Sequence, residues 1–101
     1  MKVKELIDYV NNAKFYCPDD VMDSLPYVLN KTLKYVTEFG FSEHRWYVTA
    51  TQIFKCDDGF VGIAGPVIIK SEEMSWKDTG CECVASEYVK VMKPTYEPKQ
   101  D

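Results

Sequence analysis

The chain has a single histidine, His44, no apolar run longer than a few residues, and no cluster among its 12 lysines and arginines. Each scarcity excludes something. The longest apolar stretches, such as Val67-Ile68-Ile69, fall far short of the roughly 20 residues that a helix needs to cross a bilayer. The first residues, Met1-Lys2-Val3-Lys4-Glu5, run into Asp8, Asn11 and Asn12 without the apolar centre of a signal peptide, so cytoplasmic residence is expected. With 16 acidic residues against 12 basic ones the net charge is −4, and the long-range field repels phosphate backbones. Direct nucleic-acid binding and membrane insertion are therefore not expected. One histidine cannot supply a paired-histidine metal site, and the chain contains neither a Gly-x-Ser-x-Gly elbow nor a phosphate-cradling glycine loop.

Cysteine is present four times, as Cys17, Cys56, Cys81 and Cys83, but the pattern does not read as a metal site. Structural zinc favours cysteine pairs two to four residues apart, whereas Cys81-Glu82-Cys83 has a single residue between its thiols. In a cytoplasmic chain these are expected to be reduced thiols that behave as small hydrophobes, with no metal and no cofactor. His44 beside Glu43 and Arg45 has the makings of a general acid/base pair, yet a surface or capping role suits it better, and an enzymatic function is the least favoured class.

What is present is ordinary globular material: 101 residues, 46% apolar, with two tryptophans, seven tyrosines and five phenylalanines. That suffices for one domain with its own core. Val3, Leu6, Ile7 and Val10 recur at helical spacing and predict an amphipathic helix over about 3–13. Pro18-Asp19-Asp20 opens a short helix reaching Leu25, since proline and carboxylates suit the first turn. Pro26 can open another, in which Leu29, Leu33, Val36 and Phe39 share a face and Gly40 closes the last turn. A strand is the alternative, because Tyr27, Leu29, Leu33, Tyr35 and Phe39 also alternate, but the capping residues favour the helix.

From Arg45 the period becomes two, with Trp46, Val48, Ala50, Phe54 and Cys56 on one face and Arg45, Tyr47, Thr49, Thr51 and Lys55 on the other. Asp58-Gly59 predicts a two-residue hairpin turn that pairs Asp57 with Phe60 and extends the apolar face onto Val61, Ile63, Val67 and Ile69. Gly65-Pro66 suggests a bulge or a sheet edge. A polar loop over 71–80 leads to a third strand from about Cys81 to Met92. The expected architecture is an α+β domain over residues 1–93, with two or three N-terminal helices packed on one face of an antiparallel sheet of about three strands. Residues 94–101 are expected to fray as a polar tail.

Trp76 stands out because it lies in a polar loop flanked by Glu72, Glu73 and Asp78. It is either a lid folded onto the sheet or an anchor for a partner, as tryptophan often is at interfaces. Arg45 and Tyr47, on the more polar face of the first strand, extend the candidate binding surface.

The stretches His44-Arg45-Trp46-Tyr47-Val48-Thr49-Ala50-Thr51, Asp57-Asp58-Gly59-Phe60, Ser71-Glu72-Glu73-Met74-Ser75-Trp76-Lys77-Asp78 and Cys83-Val84-Ala85-Ser86-Glu87-Tyr88 resemble small accessory proteins of bacteriophages and prophages. The resemblance covers about half of the chain. It implies a non-enzymatic protein that binds a host or phage protein, in some cases to block a bacterial defence component. A second copy of the chain is a further candidate partner. The alternative from another class is a binder that sequesters a nucleotide-like ligand with Arg45 and an aromatic such as Tyr47 or Trp76.

Overall fold

The computed structural model describes residues 1–90 and 96–99. Helix α1 (Val3–Ala13) and helix α2 (Pro18–Ser24) form as the sequence predicts, with Leu6, Val10 and Val21 fully buried beneath them. The chain after Pro26 departs from expectation. Helix α3 is a single turn (Tyr27–Asn30), and strand β1 (Lys34–Glu43) then takes the later part of the segment expected to be helical, from Lys34 to Phe39. Tyr35, Val36, Thr37, Phe39 and Phe41 are β-branched or aromatic, and pairing with the next strand outweighs a helical stripe of only four apolar positions. Gly40, expected to close a helix, instead has φ 70° within a bulge between Phe39 and Ser42.

Strands β2 (Tyr47–Cys56), β3 (Gly59–Ile69), β4 (Val84–Lys90) and β5 (Tyr96–Pro98) complete one antiparallel sheet in the order β1-β2-β3-β4-β5. The expected α+β layout with about three strands is thus overturned. The described residues are 44% strand and form a curled five-stranded sheet with three short helices. Two of the five strands lie where a helix and a frayed tail were expected. Tyr96, Glu97 and Pro98 pair with Lys90, Val89 and Tyr88, and the Lys99 N–H donates to the Glu87 carbonyl at 2.9 Å, while 94, 95, 100 and 101 of the expected tail and the expected boundary at 93 lie outside the described residues. The expected strand 81–92 narrows to β4, and Val91 and Met92 also fall outside the described residues.

The β2–β3 hairpin is right in place and wrong in register. Cys56 pairs with Gly59 and Phe54 with Val61, so the two-residue turn is Asp57-Asp58, not Asp58-Gly59. Neither aspartate has a positive φ. The shift is by two residues, an even number, so Phe54, Cys56, Val61 and Ile63 still share the core face. At Val67 one extra residue enters β3, since Val48 pairs with Ile68 and Thr49 with Pro66, and this is the bulge that Gly65-Pro66 announced. Past it the faces exchange, and Ile68 rather than Ile69 lies beside Val48.

Helix α1 packs on β3 and β4, and α2 on β3, so the core forms between one sheet face and the helices. The hairpin turn fixes α1 in place. Asp58 Oδ1 accepts the Val3 N–H at 2.8 Å, capping the helix from outside, and Asp57 Oδ2 receives the Met1 ammonium at 2.9 Å. At the other end of α1 the Asn11 amide spans the backbone of Ala85, with Nδ2 donating to the carbonyl at 3.0 Å and Oδ1 accepting the N–H at 2.9 Å. Asn11 thus satisfies both backbone groups of Ala85 from the helix. Among the described residues no helix is long and apolar enough to cross a membrane.

Two stability tests follow from these contacts. Asn11→Ala should lower unfolding free energy by about 1–2 kcal/mol in chemical denaturation, because both Ala85 backbone groups lose their partner. A midpoint like that of the wild type would show that water replaces the amide freely. At Gly59, a Cβ would sit 3.2 Å from Val3 Cγ2, so Gly59→Val should cost about 1–3 kcal/mol by displacing α1. An unchanged unfolding curve would overturn the docking role of this turn.

Candidate functional site

The β1–β2 connection is a two-residue loop, Arg45-Trp46, closed by a 2.8 Å hydrogen bond from the His44 N–H to the Tyr47 carbonyl. A loop this short cannot fold its side chains inward, and Trp46 is left 47% exposed. The Arg45 guanidinium lies 4.8 Å from the centre of the Trp46 ring, in cation–π geometry. His44 stacks on Tyr47 with ring centres 4.5 Å apart and planes within 12°. Lys70, just past β3, clamps the loop. Its N–H donates to the Trp46 carbonyl at 2.8 Å, its Nζ donates to the His44 carbonyl at 3.1 Å, and the same ammonium lies 3.7 Å from Glu43.

Opposite this tip stands the connection from β3 to β4. It is held by its own hydrogen bonds: Asp78 Oδ2 accepts the Ser75 N–H at 2.9 Å, and the Thr79 hydroxyl donates to the Trp76 carbonyl at 2.8 Å. A 3₁₀ turn, Lys77–Thr79, follows Trp76. The hydrogen bonds from Ser75 hold the Asp78 carboxyl below its ordinary range, with Lys77 adding to the effect, so it is a fixed negative charge at neutral pH. Between tip and loop lies a groove of about 360 Å³ lined by Trp46, Ser71, Glu73, Met74 and Asp78.

All six residues singled out in the sequence lie at this end of the sheet, on two neighbouring segments, but they do not form one surface. Glu73 and Asp78 line the groove, and Glu72 is exposed beside them. Arg45 is exposed on the tip. Tyr47 is half-buried, with its hydroxyl 3.3 Å from Cys81 Sγ, a contact that raises the phenol above its ordinary pKa. Trp76 is half-buried at the head of the 3₁₀ turn, and the aromatic wall of the groove is Trp46. The alternation through β2 predicts Trp46 on its apolar face, whereas the structure sets it at the apex of the hairpin. Reading 34–43 as a strand would have exposed the error, because two strands joined by Arg45-Trp46 leave that tryptophan at the apex.

Other large apolar side chains are exposed near this apex, Phe41 at 56% and Ile68 at 52%. A second exposed group, Tyr27, Val28, Tyr35 and Val36, lies on α3 and the start of β1, where Lys31 covers the Tyr27 ring at 4.7 Å. A smaller cleft of about 230 Å³ is lined by Thr49, Thr51, Ala64, Cys81 and Val84 among others. No group of three or more histidine, cysteine or carboxylate side chains is placed to hold a metal among the described residues.

The cysteines divide by environment. Cys56 and Cys83 lie in the core cluster and Cys17 is also buried, whereas Cys81 is half-exposed beside Tyr47. Cys81 and Cys83, expected at the start of the third strand, instead precede β4, with Cys81 half-exposed and Cys83 buried. Comparison with family models, with curated proteins and with solved structures gives no match to this chain.

Burial pushes the Cys56 thiol up to about 11 and the Cys83 thiol up to about 12, from an ordinary 9.0. The unfolded chain therefore loses these protons at lower pH than the folded one. Their contribution to stability is complete below about pH 9 and declines as pH rises toward 11 and 12. Cys83→Ala should flatten the alkaline fall in melting temperature, and an equally steep fall in that variant would refute the assignment. In the native protein a thiol reagent should modify Cys81 first.

Proposed function

We propose that this chain is a non-enzymatic binding protein that engages a partner protein through the Arg45-Trp46 tip and the facing acidic loop. The observation that carries this reading is the position of Trp46: a large aromatic, 47% exposed, on a loop whose backbone is clamped by Lys70, with Phe41 and Ile68 also exposed on the strands of this hairpin and its neighbour. Aromatics on a held loop beside a polar rim are the usual anchors of protein interfaces, because little backbone freedom remains to be lost on binding. The resemblance to phage and prophage accessory proteins supplies the context. On that reading the chain acts in the cytoplasm, its partner is a host or phage protein, and blocking a bacterial defence component is the favoured role.

A nucleotide-like ligand suits the same residues less well. Stacking a base needs a free ring face near a cation, yet His44 already covers one face of Tyr47, and Arg45 is engaged with Trp46. Trp76, the other aromatic considered for that role, is half-buried.

The two tryptophans should separate in mutants. Trp46→Ala should weaken partner binding by about 2 kcal/mol or more with little change in melting temperature, as expected of an interface anchor. Trp76→Ala should lower folding stability by about 1–3 kcal/mol, less than a fully buried tryptophan would. Affinity and unfolding measurements on both variants make the comparison. Unaltered affinity in Trp46→Ala would overturn this assignment of the binding surface.

A further inference from the structure

We infer that the groove beside Trp46 receives a cationic side chain, arginine or lysine, of the partner protein; this rests on the proposed binding surface and specifies its chemistry. The groove is about 360 Å³, has one aromatic wall, and carries two carboxylates, Glu73 and Asp78. Among the described residues neither carboxylate is engaged in an ion pair, although Glu43, Asp57 and Glu87 all are. Asp78 is held ionised and fixed in direction by its bonds from Ser75. Both carboxylates are exposed in the free protein; a neutral or anionic occupant would displace their water without replacing it, whereas a guanidinium or ammonium satisfies them.

The carboxylates are not the only feature that selects a cation. The Trp46 ring already binds one, the Arg45 guanidinium at 4.8 Å, so an incoming cation reaches that ring by displacing Arg45. Met74, unbranched and adaptable, supplies an apolar surface for the methylene stem of a long basic side chain. The net charge of −4 favours approach of a basic partner segment. Arg45 then has a second role. Lying at the rim with the same charge as the incoming group, it competes with that group for Trp46.

The test uses acetyl-Gly-Arg-Gly-amide as probe, with its lysine and citrulline counterparts, titrated into the isotope-labelled full chain and followed by NMR. The arginine peptide should shift the Trp46 indole N–H and the Glu73 and Asp78 amides saturably, and the shifts should weaken as salt is raised. The citrulline peptide, equal in shape and uncharged, should leave them in place. Glu73→Gln with Asp78→Asn should weaken arginine-peptide binding about tenfold or more. Glu73→Gln alone, which leaves the Ser75–Asp78 bonds intact, should weaken it severalfold. Arg45→Ala should tighten it severalfold. Equal shifts with the citrulline peptide, or shifts mapping away from Trp46, overturn the inference.

Partner binding distinguishes this inference from the interface reading beneath it. If the charge-neutral double variant binds the partner like wild type while Trp46→Ala does not, the cation inference fails and the interface stands. If Trp46→Ala binds like wild type, the interface reading itself fails.

Discussion

Everything on the helical face of this protein depends on how the Asp57-Asp58 turn grips the start of α1. The first N–H groups of a helix have no partners within it, and here one of them is satisfied by a carboxylate 55 residues away in sequence. Asp57 adds the Met1 ammonium, and the Asp57 N–H donates to the Met1 carbonyl at 3.1 Å. Gly59 leaves room for Val3. With that end fixed and Asn11 tied to Ala85, α1 is pinned at both ends across the sheet, and Val3, Leu6 and Val10 are held in line over Val61, Ile63 and Ala85. One hairpin turn thus converts an amphipathic segment into the lid of a core.

At the opposite end of the sheet the architecture follows from the strand connections. The Val67 bulge exchanges the faces of β3 so that Ile68 lies beside Val48 yet remains half-exposed. The short Arg45-Trp46 loop then projects an indole beyond the last paired residues. Lys70 is the link between the two connections, since it bonds to the backbone of the tip while leading directly into the acidic loop. Apolar side chains, a fixed carboxylate and a cation-bearing aromatic are brought together by strand ends alone.

Much of this was legible in the sequence where local chemistry and tertiary packing agree. The spacing of Val3, Leu6 and Val10, the Pro18-Asp19-Asp20 start and the alternation through Val48 to Cys56 all report the elements they form. The β2–β3 register was off by two because a glycine after two aspartates suggests a turn centred one residue too late, and an even slip costs nothing in the pattern of faces. The 34–43 segment misled for another reason. A strand with two bulges loses its period of two, and the residues left over fall at helical spacing. From that misreading came the misplacement of Trp46 and the choice of Trp76 as anchor. Glu73 and Asp78 were recognisable from composition, but their alignment with Trp46 depends on pairings distant in the chain.

The two irregularities in β1 also bear on how the protein coexists with other chains. β1 is a ten-residue edge strand carrying Tyr35, Val36 and Phe41 at its surface, the kind of border on which foreign strands can grow. Its register breaks between Tyr35 and Thr37 and again between Phe39 and Ser42. A strand approaching from solvent meets no long flat row of evenly spaced donors and acceptors, and continuous cross-β stacking would have to straighten a backbone held bent by its partner. The bulges that obscured this strand in the sequence are thus also its guard against aggregation.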